Sequence, residues 1–440
     1  MTTIAQLAWV MQTILGDVAN VAAETTRFVQ RRSKMNGALF VQTLVFTWLA
    51  KPRASLGELS QTAAALGVTI TPQGIDERFT PAAAACVQQV LEAAVGQLIV
   101  GKTVALEVLS RFNGVYIEDS TIITLPDALA ERYRGCGGSH GFGQAAAKVA
   151  VRLNLTVGAL TGPCIESGRV HDRATRVHQL PLPAGALCIE DLGYWDLDIL
   201  RRRSEQDVSW LSRLHGQTTV FDMAGKRWET TELLAAQSTA CVDLSVRLGV
   251  EHQLPARLIA VRVPQEVAEQ RRVRLHDEAR RRQQPVTARA LALADWTILV
   301  TNVPAEQLSA RQALALSTAR WQIELLFKLW KSHGQIDEWA SHNPDRILCE
   351  MYAKLLAMVV QHWLLLLGCW ELANRSWVKA AQTIQKHALH LASHMQQTEQ
   401  LNEVIGIIMR SLASGCRLNS RKRDPSTYQL LLAASEAPLP

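Results

Sequence analysis

Two short apolar runs decide how this chain folds: VYIED at residues 115–119 and ALCIED at residues 186–191. Each is rich in strand-forming residues and closes on the letters Ile-Glu-Asp, which predicts two β-strands ending at Asp119 and Asp191. Side chains alternate across a strand. If both strands lie in one sheet, the two aspartates point to one face, and the glutamates before them point to the other. Because aspartate also commonly ends strands, the pattern alone does not prove a site.

The segments around these runs alternate between strands and helices. Further strands are predicted at 149–155 and 156–160, and a basic helix carrying three arginines at 201–203 follows the second aspartate. A strand at 296–302 and a long helix over about 306–332 resume the pattern later in the chain. This alternation predicts an α/β fold.

Two segments depart from this rhythm. Residues 1–108 are predicted to be mostly helical, and residues 55–79 hold two short helical patterns separated by Gly67, with Pro72 opening the second. That spacing suits either a helix-turn-helix or an ordinary helical pair. Residues 206–295 contain short β-like runs and an arginine-rich stretch, and are predicted to be an insertion.

The composition indicates a folded protein with a large core. Of 440 residues, 48% are hydrophobic and 20% charged, which argues against global disorder. The net charge of +6 permits a polyanionic partner without requiring one. Eight scattered cysteines with no CxxC pair predict a reducing compartment and no structural zinc. The sequence also lacks a Gly-Lys-Ser/Thr motif after a glycine-rich turn, so no phosphate-binding P-loop is expected.

One stretch, residues 355–370, contains no residue that is charged at neutral pH. A membrane span needs about 20 residues, and Gln361 and His362 interrupt this shorter run. A buried core helix is therefore predicted. The N-terminus lacks the basic start and cleavage site of a signal peptide, so export is not expected.

A third acidic residue, Glu324, lies in the stretch STARWQIELLFKLWK at residues 317–331. At ~100° per residue, Arg320 and Lys331 fall within ~40° of Glu324 on a helical projection. An apolar stripe borders them, formed by Ile323, Leu326, Phe327 and Trp330. The alternative interpretation is an ordinary surface ion pair, since Arg320 and Glu324 are four residues apart.

Three carboxylates on two strands and a helix suit hard divalent cations. Mg²⁺ prefers oxygen ligands and keeps several waters. Two such ions ~3.5–4 Å apart can activate an attacking water or 3′-hydroxyl and stabilise a leaving 3′-oxygen. Asp119, Asp191 and Glu324 are therefore the candidate metal ligands and catalytic residues, and Arg320 and Lys331 would hold a phosphate beside them.

At these positions the sequence resembles the DDE transposases of the insertion sequence 4 family, over about residues 35–375. The third motif of that family is Tyr-x2-Arg-x3-Glu-x6-Lys, and its spacing is matched here. The residues that match this third motif are Arg320, Glu324 and Lys331. The two aspartate motifs are matched by Asp119-Ser120-Thr121 and by Asp191-Leu192-Gly193-Tyr194. Ser317 stands where the family has its tyrosine. In the family this tyrosine helps to hold the phosphate of the transposon end, so that contact is missing, weakened or supplied elsewhere.

The resemblance implies an RNase H-like catalytic core interrupted by a β-rich insertion. It divides the chain into a helical N-terminal DNA-binding domain, a core in two parts, the insertion between those parts, and a helical C-terminal region. The N-terminal domain is residues 1–108, and the C-terminal region is residues 386–440. The two parts of the core are residues 109–205 and 296–385, and the insertion between them is residues 206–295.

The resemblance also implies an activity. Family members cut transposon ends with two Mg²⁺ or Mn²⁺ ions held by the three carboxylates, then join the free 3′-OH to target DNA. The implied phosphate-binding residues are Arg320, Lys331, Lys328 and Ser317. The implied partners are double-stranded DNA, as inverted-repeat ends and as target, and a second copy of the chain. The expected location is the bacterial cytoplasm, in association with the nucleoid and not with a membrane.

Two other functions share these residues. The first is an RNase H-like nuclease that cleaves DNA and never transfers strands. The second is a catalytically inactive, transposase-derived DNA-binding protein.

Overall fold

The computed structural model describes residues 1–31, 33–137, 144–372, 374–418 and 427–436. Within these ranges the chain is a mixed α/β protein with ten strands and many helices. The α-helices are α1 (Ile4–Gln12), α2 (Ala19–Thr25), α3 (Gly37–Ala50), α4 (Leu56–Ala65), α5 (Pro72–Asp76), α6 (Pro81–Val95), α7 (Glu107–Ser110), α8 (Arg176–Gln179), α9 (Leu197–Glu205), α10 (Thr230–Ala235), α11 (Gln265–Arg282), α12 (Ala288–Leu293), α13 (Ala310–Ala319), α14 (Trp321–Ser332), α15 (Pro344–Cys369), α16 (Trp377–Ser393), α17 (Thr398–Ser414) and α18 (Thr427–Glu436). The strands are β1 (Val115–Leu125), β2 (Ala145–Asn154), β3 (Leu160–Ser167), β4 (Leu187–Glu190), β5 (Ser209–Arg213), β6 (Val220–Phe221), β7 (Arg227–Trp228), β8 (Cys241–Leu248), β9 (Leu254–Arg262) and β10 (Trp296–Thr301).

The chain forms two compact units, and β1 contributes residues to both. The first unit comprises Met1–Ala105, Asp119–Leu180 and Trp321–Ser426. The second unit comprises Leu106–Glu118, Pro181–Arg320 and Thr427–Pro440. Along β1 the chain passes from the second unit to the first between Glu118 and Asp119.

A long helix, α15, lies in the core of the first unit. The Asn343 side chain accepts hydrogen bonds from the first backbone N–H groups of the helix, and Pro344 occupies the first helical position, where no N–H is needed. The helix packs against α3, α6 and α17. It is long and apolar enough to cross a bilayer, because its most apolar 18-residue stretch has a mean hydropathy of 1.4. However, 89% of that stretch is buried inside the protein. This burial confirms the predicted core helix.

Both helices predicted within residues 55–79 are present in the first unit. Ser55 and Glu58 form a capping box at the start of α4, in which each side chain accepts the backbone N–H of the other. Gly67 follows with φ +86°, a left-handed conformation that glycine adopts without steric cost. Pro72 opens α5 as predicted, but that helix has only five residues.

The antiparallel pair of β2 and β3 belongs to the first unit. Strands were expected at 149–155 and 156–160, and the second of these predictions is wrong, because β3 begins only where that range ends. A turn takes its place. The Asn154 side chain accepts the backbone N–H of Thr156, and Gly158 adopts φ +75°. Side-chain capping and a left-handed glycine thus override the apolar pattern.

The sheet of the second unit has the strand order β1-β4-β5-β10-β9-β8-β6-β7. β4 is parallel to both β1 and β5, and the remaining pairs are antiparallel. Trp210, Val246 and Leu258 belong to the apolar cluster of this unit. The strand predicted at 296–302 is confirmed as β10, which lies between β5 and β9. Strands from the segment predicted as an insertion therefore flank it on both sides.

Two element boundaries differ from the prediction. β1 does not end at Asp119 but continues to Leu125, because residues 121–125 are all β-branched or apolar. The helix predicted over 306–332 is two helices, α13 and α14, which meet at Arg320. The hydroxyls of two residues in the last turn of α13 both donate to the Leu314 carbonyl and compete with main-chain bonding there.

Buried His362 on α15 makes the stability of the protein depend on pH. Burial lowers its pKa to about 4, although the hydrogen bond from Nε2 to the Gly158 carbonyl opposes the shift. Between pH ~6.5 and ~4 the unfolded chain binds a proton that the folded chain does not. Stability present above pH ~6.5 is therefore lost as the pH falls to ~4, by about 3 kcal/mol for this group.

We expect His362→Gln to flatten this part of the pH dependence, measured as the free energy of unfolding in urea from pH 4 to pH 7. His276→Gln, at an exposed position on α11, is the control and should leave the slope unchanged. If His362→Gln has the same dependence of stability on pH as the unmodified protein, the pH dependence does not come from His362.

Candidate active site

β1 and β4 run parallel in the second unit, with Val115 opposite Leu187 and Ile117 opposite Ile189. This register is a constant offset of 72 residues (187 − 115 = 72). The isoleucines of the two Ile-Glu-Asp motifs therefore face each other across the pair. The sheet thus relates the two motifs that the sequence singled out.

The second residue of each motif is a buried glutamate. Glu118 is 1% exposed and Glu190 is 3% exposed. Arg203, on the predicted basic helix α9, forms an ion pair with Glu190. Burial lowers the pKa of the Arg203 guanidinium, but Cys188, Glu190 and Glu118 raise it more, so its net pKa lies above the ordinary value. A charged arginine therefore compensates buried negative charge in this unit. No local sequence pattern predicted this pairing.

The third residue of each motif is a half-buried aspartate. Asp119 lies within β1, and its Oδ1 accepts the backbone N–H of Ser120 at 2.8 Å. Asp191 directly follows β4, where the chain enters the short 3-10 helix Leu192–Tyr194. Buried glutamate followed by half-buried aspartate in both motifs is the alternation that a strand produces.

Glu324 lies on α14 in the first unit and is half-buried. The predicted apolar stripe of this helix is confirmed by burial; its members are Ile323, Leu326, Phe327 and Trp330. Two turns after Glu324, the Lys331 ammonium donates to the backbone carbonyl of Ile122 at 2.8 Å and lies 3.8 Å from the Asp337 carboxylate. α14 therefore lies against the part of β1 that follows Asp119.

The other predicted phosphate ligands differ in environment. Lys328 is exposed on α14, and Arg320 is half-buried at the end of α13. The Ser317 hydroxyl donates to the Leu314 carbonyl of its own helix at 2.8 Å. The first unit holds Asp119, Glu324, Lys328 and Lys331, and the second unit holds Asp191, Ser317 and Arg320.

Sequence reasoning did not identify a polar network beside Asp119 in the first unit. Oδ1 of Asp172 accepts hydrogen bonds from the Ser120 hydroxyl and the Lys148 ammonium, both at 2.7 Å. Lys148 is buried within β2. A lysine within a mostly apolar strand was an available signal, because a buried ammonium requires a partner.

The chain is similar to several bacterial insertion-sequence proteins. It is 25% identical over 439 residues to the "Transposase for insertion sequence element IS231F" of Bacillus thuringiensis subsp. israelensis, which covers 93% of this chain and 91% of that protein. It is 26% identical to the corresponding IS231E protein of Bacillus thuringiensis subsp. finitimus, with 94% and 91% coverage. It is 22% identical to the IS1151 transposase of Clostridium perfringens, with 78% and 76% coverage.

Residues 110–360 match a family described as "Transposase DDE domain". The match spans 251 residues (360 − 110 + 1 = 251), more than half of the 440-residue chain. It includes both strands with Ile-Glu-Asp motifs, the network around Asp172, and α14 with Glu324. The chain therefore belongs to the transposase DDE domain family.

Proposed function

We propose that this transposase is an active enzyme that cuts the ends of a mobile element and transfers the free 3′-OH ends into target DNA. Its family and its similarity to named transposases support the reaction class. The observation that carries the proposal is the strand register. The offset of 72 residues that pairs β1 with β4 also separates Asp119 from Asp191 (191 − 119 = 72).

In this proposal Asp119, Asp191 and Glu324 hold two Mg²⁺ or Mn²⁺ ions. The donor set fits such ions, because carboxylate oxygens are the ligands that hard cations prefer. All three side chains are half-buried, so they reach solvent while their stems are held by packing. When bound, the ions supply activation of an attacking water or 3′-hydroxyl and stabilisation of a leaving 3′-oxygen.

Helix and strand geometry in the first unit supports the role of Glu324. Seven residues of α14 separate Glu324 from Lys331 and rise about 10.5 Å. Three residues of β1 separate Asp119 from Ile122 and rise about 10 Å. Lys331 contacts Ile122. We infer that α14 runs in the same direction as β1, which would bring Glu324 level with Asp119, as shared ions require.

Lys331, Lys328, Arg320 and Ser317 are the proposed phosphate-binding residues. An ammonium has three donors, so Lys331 can bind a phosphate while keeping its bond to the Ile122 carbonyl. A serine hydroxyl has one proton, and that of Ser317 is directed at the Leu314 carbonyl. We infer that Ser317 supplies a weaker contact than the tyrosine of the insertion sequence 4 family, and that the cationic residues carry most of the phosphate binding.

We further assign the chain to the insertion sequence 4 family, with an RNase H-like core at 109–205 and 296–385 and a β-rich insertion at 206–295. Residues 1–108 form the DNA-binding domain in this proposal, and residues 386–440 the helical C-terminal region. Parallel pairing of β1, β4 and β5 in a mixed sheet supports a core of this class. The proposed partners are paired transposon ends, target DNA and a second copy of the chain, at the nucleoid in the bacterial cytoplasm.

The test is a reaction of purified protein with a DNA duplex carrying the inverted-repeat end of its element, a target plasmid and Mg²⁺. We expect plasmid molecules covalently joined to the end through its 3′-OH, together with cleaved ends. These products should be lost on chelation with EDTA and restored by Mg²⁺ or Mn²⁺.

Each alternative function predicts a different result. Cleaved DNA with no joined plasmid would identify a nuclease that does not transfer strands. Bound DNA without cleavage in Mg²⁺ or Mn²⁺ would identify an inactive DNA-binding descendant. Either result contradicts the proposal.

A further inference from the structure

β2 carries two buried cations that hold one segment of the first unit. Lys148, 7% exposed, pairs with Asp172, with 2.7 Å between Nζ and Oδ1. Arg152, 3% exposed, donates to the carbonyls of Val177 at 2.7 Å and Leu180 at 2.9 Å. Together these contacts hold the segment 172–180, called the fastened segment below, against β2. A buried cation requires compensation, which these contacts provide.

The fastened segment is joined to β1 at Ser120. The Ser120 hydroxyl donates to Oδ1 of Asp172 at 2.7 Å, the same oxygen that Lys148 contacts. The backbone N–H of Ser120 donates to Oδ1 of Asp119 at 2.8 Å. A continuous chain of hydrogen bonds therefore runs from Lys148 through Asp172 and Ser120 to the Asp119 carboxylate.

We propose that Lys148 and Asp172 are positioning residues, which act through Ser120 to orient the Asp119 carboxylate for divalent metal binding. This role rests on the proposed function of Asp119. The buried Lys148 fixes Asp172, Asp172 fixes the Ser120 hydroxyl, and Ser120 in turn directs its N–H at one carboxylate oxygen. A carboxylate already held in one orientation loses less conformational freedom when it binds an ion.

The chemistry of the network favours this role over packing alone. β2 is apolar apart from Lys148, Arg152 and its last residue, Asn154, and an apolar side chain at position 148 would fill the strand without the cost of burying an ammonium. Hydrogen-bond partners that orient metal ligands typically change metal affinity by about 10–100-fold. Loss of the network should therefore weaken metal binding as well as stability.

The test uses Ser120→Ala and Asp172→Asn in the full-length protein. Ser120→Ala keeps the backbone N–H and the Lys148–Asp172 ion pair but removes the hydroxyl link. The measurement is the rise in melting temperature with increasing Mn²⁺ in the absence of DNA, which reports the apparent Mn²⁺ dissociation constant independently of activity. We expect that constant to rise roughly tenfold in each variant.

The Mg²⁺ concentration needed for half-maximal end cleavage should rise in parallel. In the double variant the two effects should not add, because both substitutions break the same chain of contacts. Arg176→Gln is the matched control. Arg176 lies in the fastened segment and pairs with Glu166 on β3, with 3.9 Å between Nε and Oε1. Its loss therefore tests the stability of that segment without breaking the chain of contacts from Lys148 to Asp119.

Asp119→Asn separates failure of this inference from failure of the proposed function. If Asp119→Asn abolishes the Mn²⁺ effect but Ser120→Ala and Asp172→Asn leave the Mn²⁺ constant unchanged, the network is structural only and the positioning role is wrong. If Asp119→Asn itself leaves Mn²⁺ binding intact, the metal assignment of Asp119 fails, and the positioning role fails with it.

Discussion

Replacing Glu324 with glutamine is expected to abolish both DNA cleavage and strand transfer. The amide is neutral and binds a hard cation more weakly than a carboxylate does, so ions held at the proposed site would stabilise the transition state less. A loss of ~4 kcal/mol corresponds to a rate reduced about a thousandfold. The measurement is the rate of end cleavage in Mg²⁺, with joined products quantified from the same reactions.

The affinity of Glu324→Gln for the transposon end, measured without metal, should stay close to that of the unmodified protein. The substitution removes no positively charged side chain that could bind DNA phosphate. Glu266→Gln, at an exposed position on α11, is the matched control and should retain full activity. Unimpaired cleavage by Glu324→Gln would remove this residue from the catalytic site. Loss of end binding together with cleavage would point to a folding defect instead.

Replacing Arg203 with methionine is expected to destabilise the protein by about 3–5 kcal/mol, because it removes one member of a buried ion pair with Glu190. This is a large fraction of the ~5–15 kcal/mol that holds a typical protein folded. The measurement is the midpoint of urea unfolding followed by circular dichroism at pH 7.

Arg201→Met on the same helix is the control. Arg201 is half-exposed and pairs with Asp198 and Glu205, so its loss should cost about 0–1 kcal/mol. Adding Glu190→Gln to Arg203→Met should restore part of the lost stability, because the buried negative charge that Arg203 offset is then gone as well. If Arg201→Met and Arg203→Met lower the free energy of unfolding equally, burial does not make the Arg203 ion pair more important for stability, and the prediction is wrong.

Several elements were predictable because their signals are local. The strands at both Ile-Glu-Asp motifs, the basic helix α9, the two helices on either side of Gly67 and the buried stripe of α14 each follow from residues close together in the chain. Element ends were less predictable. β1 continues past Asp119, and α13 and α14 separate at Arg320, because side-chain hydrogen bonding and β-branched residues at those points outweigh the wider periodic pattern.

The two Ile-Glu-Asp motifs and the acidic and basic residues within 317–331 could be identified from the sequence alone, because each is a local pattern. The folded structure was needed to identify the residues that contact these motifs. Asp172 lies 52 residues from Ser120 and 24 from Lys148, and Arg203 reaches Glu190 from a separate helix. The physical reason is that a periodic pattern is set by neighbours in the chain, whereas the partner of a buried charge is set by which distant segments fold against it.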